Sequence, residues 1–127
     1  CGQPFSGPDV GGFFGDPEPE LFERWFELGP YLPFFRGHSD KGSCRKEPWS
    51  FGPRIEASVR ANLLLRESLR PRLQRLLAEA ARTGLPAARP LFFAAPERAD
   101  LAQVGDQFLL GDDLLVAPVL ERGARER

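Results

Sequence analysis

His38 is the only histidine of the chain, and it follows an aromatic pair, Phe34-Phe35, where a long polar loop opens. An imidazole can both donate and accept hydrogen bonds. Placed beside aromatic faces at the mouth of a packed element, such a group suits a sugar-type ligand, which presents hydroxyls on its rim and an apolar face. Metal binding by Asp9, His38 and Asp40 is a weaker reading, because a second histidine and any recognised ligand spacing are missing. Cys1 and Cys44 are too far apart to form a metal motif. They read as two free thiols in a reducing compartment.

Composition narrows the classes. With 42% apolar and 28% charged residues, the 127-residue chain is ordinary for a small soluble domain. A formal net charge of −1 gives no bulk attraction to nucleic acid or an anionic membrane, so neither is expected as a partner. Gly and Pro, 13 each, stand well above their usual joint share of about 12% and announce many turns. The chain opens on Cys1 and contains no Met, which suggests a processed chain or an internal fragment. Nothing at the N-terminus resembles a signal peptide, and no apolar run approaches the roughly 20 residues needed to span a bilayer. The compartment stays open, with the cytoplasm as the default.

The elements that must position His38 can be read from periodicity. Residues 5–10 suggest an extended segment that ends in the Gly11-Gly12 turn. Asp16-Pro17 then reads as the N-cap and first position of a helix, whose apolar face is Leu21, Phe22, Trp25, Phe26 and Leu28. Gly29-Pro30 ends it, 31–35 is a short aromatic element, and 36–53 is a long loop without periodicity. Residues 54–83 carry the one long helical pattern. Ile55, Val59, Leu65, Leu69, Leu73, Leu76, Leu77 and Ala80 lie on one face, and Arg60, Arg66, Arg70, Arg75, Glu79 and Arg82 on the other. Pro71 interrupts the pattern and predicts a kink. Residues 91–95 read as a short buried strand, 107–110 as weakly helical, and 114–120 as a second strand-like run that contains Pro118. Strands alternating with helices indicate α/β units around a parallel sheet. So few strands imply a slice of a larger sheet or barrel.

Several blocks of sequence carry a resemblance. Gly7-Pro8-Asp9-Val10-Gly11-Gly12-Phe13-Phe14, then Arg24-Trp25, Leu28-Gly29 and Pro33-Phe34-Phe35-Arg36-Gly37-His38-Ser39 follow one another in order. Glu47-Pro48-Trp49, Arg89-Pro90-Leu91, the run from Asp106 to Gly111, and Leu115-Val116-Ala117-Pro118-Val119-Leu120 continue the register. Together they resemble glycoside hydrolase family 31, the α-glucosidase and α-xylosidase family. The departures are Pro8, where the family has Ala or Ser; Gly37, where it has Asn; and Glu67-Ser68 and Arg72, where tyrosines are common.

The resemblance implies an α/β fold: the C-terminal portion, the last two β/α units, of a TIM (β/α)8 barrel, plus the start of a β domain. Residues 1–112 would belong to the barrel and 113–127 would open a small β-sandwich domain. Residues 5–10 would be the seventh strand, 54–83 its helix, and 87–93 the eighth strand. Active sites of such barrels lie at the C-terminal ends of the strands. His38 then matches a histidine that hydrogen-bonds sugar hydroxyls, Phe13 an aromatic wall, and Asp9 a pocket carboxylate. Arg36 is expected to support the loop through an ion pair, Arg89 to be paired in the interior, and Glu47 and Trp49 to pin the loop. Retaining glycosidases need two carboxylates about 5–5.5 Å apart. Both would lie upstream of Cys1, so no catalytic residue is assigned to this chain. The expected activity is that of a retaining hydrolase of α-linked glucosides or related sugars. No cofactor is expected, and the fragment alone would be inactive. The alternative is a non-catalytic binding module that uses the basic face of the 54–83 helix.

Overall fold

The computed structural model describes residues 4–127; the reading of Cys1 lies outside them. The chain divides into two compact units, one of residues Gly7–Arg70 and one built on Pro71–Arg127.

In the first unit, strand β1 (Asp9–Val10) pairs in parallel with β2 (Arg36–Gly37), Asp9 opposite Arg36 and Val10 opposite Gly37. Between them run helix α1 (Pro19–Leu28) and a 3-10 turn, Gly29–Tyr31. Parallel strands need such a crossover. Val10, Phe22 and Phe26 form the core with Ile55 and Val59 from the long helix α2 (Pro53–Thr83). Phe22 is fully buried, stacked on Phe51 at 4.0 Å between ring centroids and tilted against Phe26 at 4.8 Å. Phe51 belongs to a 3-10 turn, Pro48–Phe51, inside the loop that shows no periodicity in sequence.

Helix α1 starts two residues later than the Asp16-Pro17 signal indicates. Glu18 precedes Pro19, and a residue before proline is driven out of the helical region; Glu18 is extended, with φ −62° and ψ 153°. Pro19 therefore takes the first helical position. Asp16 is not the cap; its Oδ1 accepts the Cys44 backbone N–H at 2.7 Å instead.

In the second unit, Leu73, Leu76 and Ala80 of α2 are buried, as are Ala87, Leu110 and Val116. Its sheet has the order β3 (Ala88–Arg89), β4 (Phe108–Leu110), β5 (Leu114–Val116), and both pairings are antiparallel. The expected parallel arrangement is thus confined, among the described residues, to β1 and β2, and no barrel closes on itself. The link from β4 to β5 is too short for a crossover, so only a hairpin is possible. The division expected at 112/113 falls within this hairpin turn.

Three local expectations fail here. Residues 91–95 are not a buried strand: Leu91–Phe93 form a 3-10 turn, and Phe92 and Phe93 are exposed. Prolines at both ends, 90 and 96, remove the ladder donors a strand would need. Residues 107–110 are not helical, because Phe108–Leu110 is the central strand and is paired on both edges. The strand at 114 stops at Val116, before Pro118 reaches the ladder.

Helix α2 matches its periodicity and runs unbroken with Pro71 inside it. Gly84, at φ +82°, follows and returns its N–H to the Ala80 carbonyl at 2.9 Å, a left-handed stop that glycine takes at no steric cost. Two members of its charged face turn inward: Arg66 and Glu79 are half-buried. Glu79 lies beside Arg89, the one charged side chain that is buried among the described residues. Arg89 also pairs with Asp112 and donates to the Pro86 carbonyl, as a buried cation must.

Candidate functional site

The residues singled out by chemistry meet in the first unit, on and just beyond the β1–β2 pair. The register sets Asp9 against Arg36, and Arg36 Nε donates to Asp9 Oδ1 at 2.6 Å. That hydrogen bond is the largest influence holding the Asp9 carboxyl below its ordinary pKa; the nearby charges of Arg36 and His38 add to it, against some desolvation. The Arg36 guanidinium also lies 5.3 Å from the centroid of the Phe34 ring. Asp9 is followed by a tight turn in which Gly12 N–H returns to the Asp9 carbonyl at 2.9 Å. Gly11 and Gly12 have φ of +87° and +83°, which residues with a Cβ rarely adopt.

That turn delivers Phe13, whose ring centroid is 5.4 Å from that of His38 at an interplanar angle of 39°. His38 follows β2 directly and is exposed, while Phe13 is half-buried. Phe14 stands edge-on to Phe13 at 4.5 Å and is exposed. An aromatic face, an imidazole and an ionised carboxylate thus share one surface. Such a set can cover an apolar ring face and exchange hydrogen bonds with hydroxyls. It is poorly suited to proton donation by Asp9, since a carboxyl held ionised by an arginine is a weak source of protons near neutrality.

The loop after His38 is laced back onto the turn. Asp40 N–H donates to the Phe13 carbonyl at 2.9 Å, and Ser43 Oγ reaches the same oxygen at 3.4 Å. Lys46 Nζ donates to the Gly12 carbonyl at 2.8 Å. Sequence reasoning missed Lys46 and Phe51, because both lie in the aperiodic loop and act on partners more than twenty residues away. It also gave Trp49 a pinning role, yet Trp49 is exposed and Phe51 is the aromatic that packs inward. Glu47 makes only a local turn, accepting from Ser50. Among the described residues, no three His, Cys, Asp or Glu side chains gather to hold a metal ion. No helix among them is long and apolar enough to cross a membrane.

Comparison with known proteins places the chain in a family. Residues 1–76 match the model of the glycosyl hydrolases family 31 TIM-barrel domain, and residues 84–127 that of the glycosyl hydrolase family 31 C-terminal domain. The chain is 43% identical over 124 residues to a probable glucan 1,3-alpha-glucosidase of Oryza sativa subsp. japonica, covering 98% of this chain and 14% of the relative. It is 46% identical over 123 residues to the human neutral alpha-glucosidase AB, covering 97% of this chain and 13% of the relative. A GH31 alpha-xylosidase from a soil metagenome, solved in complex with xylose, superposes with a TM-score of 0.87 at 39% identity, over 98% of this chain and 22% of that one. The chain therefore spans about a seventh of the curated relatives it matches. With its two family models in sequence along nearly its whole length, the chain belongs to glycosyl hydrolase family 31.

Proposed function

We propose that this chain is part of a retaining glycoside hydrolase acting on α-linked glucosides or related sugars. In that enzyme His38, Asp9 and Phe13 line the sugar pocket, and Arg36 supports Asp9. The catalytic nucleophile and acid/base would come from polypeptide preceding Cys1. In the same reading β1 is the seventh barrel strand and α2 the helix that follows it. The observation that carries the reading is the convergence of Asp9, Phe13 and His38 on one strand pair, inside the region matched by the TIM-barrel model. A hydrogen bond from His38 to a ring hydroxyl that strengthens in the transition state would lower the barrier, not merely retain substrate.

The test is His38→Ala in the longer polypeptide, assayed on an α-glucoside. Loss of a hydrogen bond worth roughly 1.5–2.5 kcal/mol lowers kcat/KM by about 13- to 70-fold. Unchanged kcat/KM would remove His38 from the pocket. On the helix face that the binding-module alternative would use, Arg75 and Arg82 are exposed while the other arginines are engaged. Arg60 and Arg70 are paired with Glu56 and Glu67 of their own helix, Arg72 with Asp113, and Arg66 is turned inward.

A further inference from the structure

Arg66 lies on the face of α2 that periodicity assigns to solvent, yet all the hydrogen bonds of its guanidinium go to backbone carbonyls. Its Nη1 donates to Pro30 at 2.9 Å and to Leu32 at 2.5 Å, and its Nη2 to Pro33 at 3.2 Å. The guanidinium carbon also sits 5.6 Å from the centroid of the Phe35 ring. One side chain thus bridges three carbonyls within residues 30–33, the segment that follows α1.

These carbonyls need an outside donor. They follow the end of a helix, where C=O groups have no partner within the helix. Pro30 and Pro33 have no N–H of their own. Within this stretch Leu32 N–H donates to the Gly29 carbonyl at 3.1 Å. A planar guanidinium with five donors can serve several oxygens in one plane, which a single ammonium cannot do with the same geometry.

What this clamp holds leads straight to the candidate site. Phe35 packs edge-on against Phe26 at 5.7 Å and lies so close to Gly29 that a Cβ there would overlap its ring. The next residues, Arg36 and Gly37, are all of β2, and His38 follows. A ladder of two residues on each strand is too short to hold its own position. The Arg36–Asp9 pair and the loop bonds from Asp40 and Lys46 anchor β2 from the other side, and residues 30–35 fix the direction from which the chain enters it.

We infer that Arg66 is a positioning residue, acting through residues 30–35 to set His38 against Phe13. The inference rests on the reading of His38 as a sugar contact, and its effect is read through that histidine. The described hydrogen bonds and ring contact of Arg66 go to residues 30–33 and Phe35.

The experiment uses the longer polypeptide with Arg66→Lys, which keeps the charge and loses the planar fork, and Arg66→Met, which loses both. Misplacement of a binding group by about 1 Å can cost about 100-fold. The expected result for Arg66→Lys is a fall in kcat/KM of about tenfold, at a temperature where the variant remains folded by circular dichroism. A merely structural arginine would lower Tm alone. The deciding readout is the double variant. If Arg66 works through His38, most of the loss vanishes when Arg66→Lys is made in the His38→Ala background. An undiminished loss in that background overturns the inference, as does unchanged kcat/KM in both single Arg66 variants. If His38→Ala by itself leaves turnover unchanged, the sugar-contact reading fails separately. Positioning is then judged by hydrogen exchange of the backbone amides of residues 34–38. Faster exchange in Arg66→Lys sustains the clamp, and unaltered exchange overturns it.

Discussion

At the scale of single residues, one ion pair joins the two strands of the site. Arg36 keeps Asp9 ionised below the range in which an ordinary carboxylate titrates. Because the folded-state pKa is lowered, the pair favours the folded arrangement above the ordinary carboxylate pKa. That contribution is lost as pH falls through the lowered value. Arg36→Gln removes the dominant hydrogen bond, so the Asp9 titration midpoint rises toward its ordinary value, and the site loses its order at a higher pH than before. Carboxyl-carbon NMR titration of both forms measures this directly; identical midpoints would show that Arg36 does not govern Asp9. The candidate residues themselves were legible in sequence because their types are rare here. A single histidine and an Asp before paired glycines stand out against an otherwise ordinary composition. The Asp9–Arg36 distance was not legible, since it depends on strand register across 27 residues.

At the scale of elements, the first unit depends on how α1 packs under β1. Phe22 carries most of that contact: it is fully buried, stacks on Phe51, touches Phe26, and comes within 3.1 Å of where a Cβ on Gly11 would stand. Phe22→Ala leaves a cavity beneath the turn that carries Phe13. Large-to-small substitutions of buried aromatics cost about 3–5 kcal/mol. Chemical denaturation of the longer polypeptide should show a loss of that size, and a change below about 1 kcal/mol would mean that the core collapses around the gap. Helices α1 and α2 were readable because a 3.6-residue period needs only local sequence. The failures cluster where partners are distant. The run at 107–110 has no local feature separating helix from strand, and it becomes β4 because edges on both sides accept it. The apolar run at 91–95 looks like a strand by composition, but its flanking prolines leave it a 3-10 turn.

At the scale of the whole molecule, each unit leaves large apolar side chains uncovered. In the first these include Leu21, Trp49, Leu63 and Leu64, with Leu64 and Trp49 each 67% exposed. In the second they include Phe92, Phe93, Leu115 and Leu120. Apolar surface of this extent favours association. Expressed alone, the 127 residues should bind a hydrophobic dye and elute as aggregates in size-exclusion chromatography. A monomer with a sharp cooperative melt would show instead that the exposed side chains need no cover.

Sequence alone determined the family, the two helices, the turn glycines and the identity of the candidate pocket residues. All of these rest on residue type and short-range spacing, which are written locally along the chain. Tertiary structure decided the antiparallel order of β3, β4 and β5, the displacement of Asp16 from cap to loop anchor, and the inward turn of Arg66. Each of those depends on where an unpaired backbone group or charge finds its partner. Such partners lie 28 residues away for Asp16 and more than 30 for Arg66, at separations that periodicity does not encode.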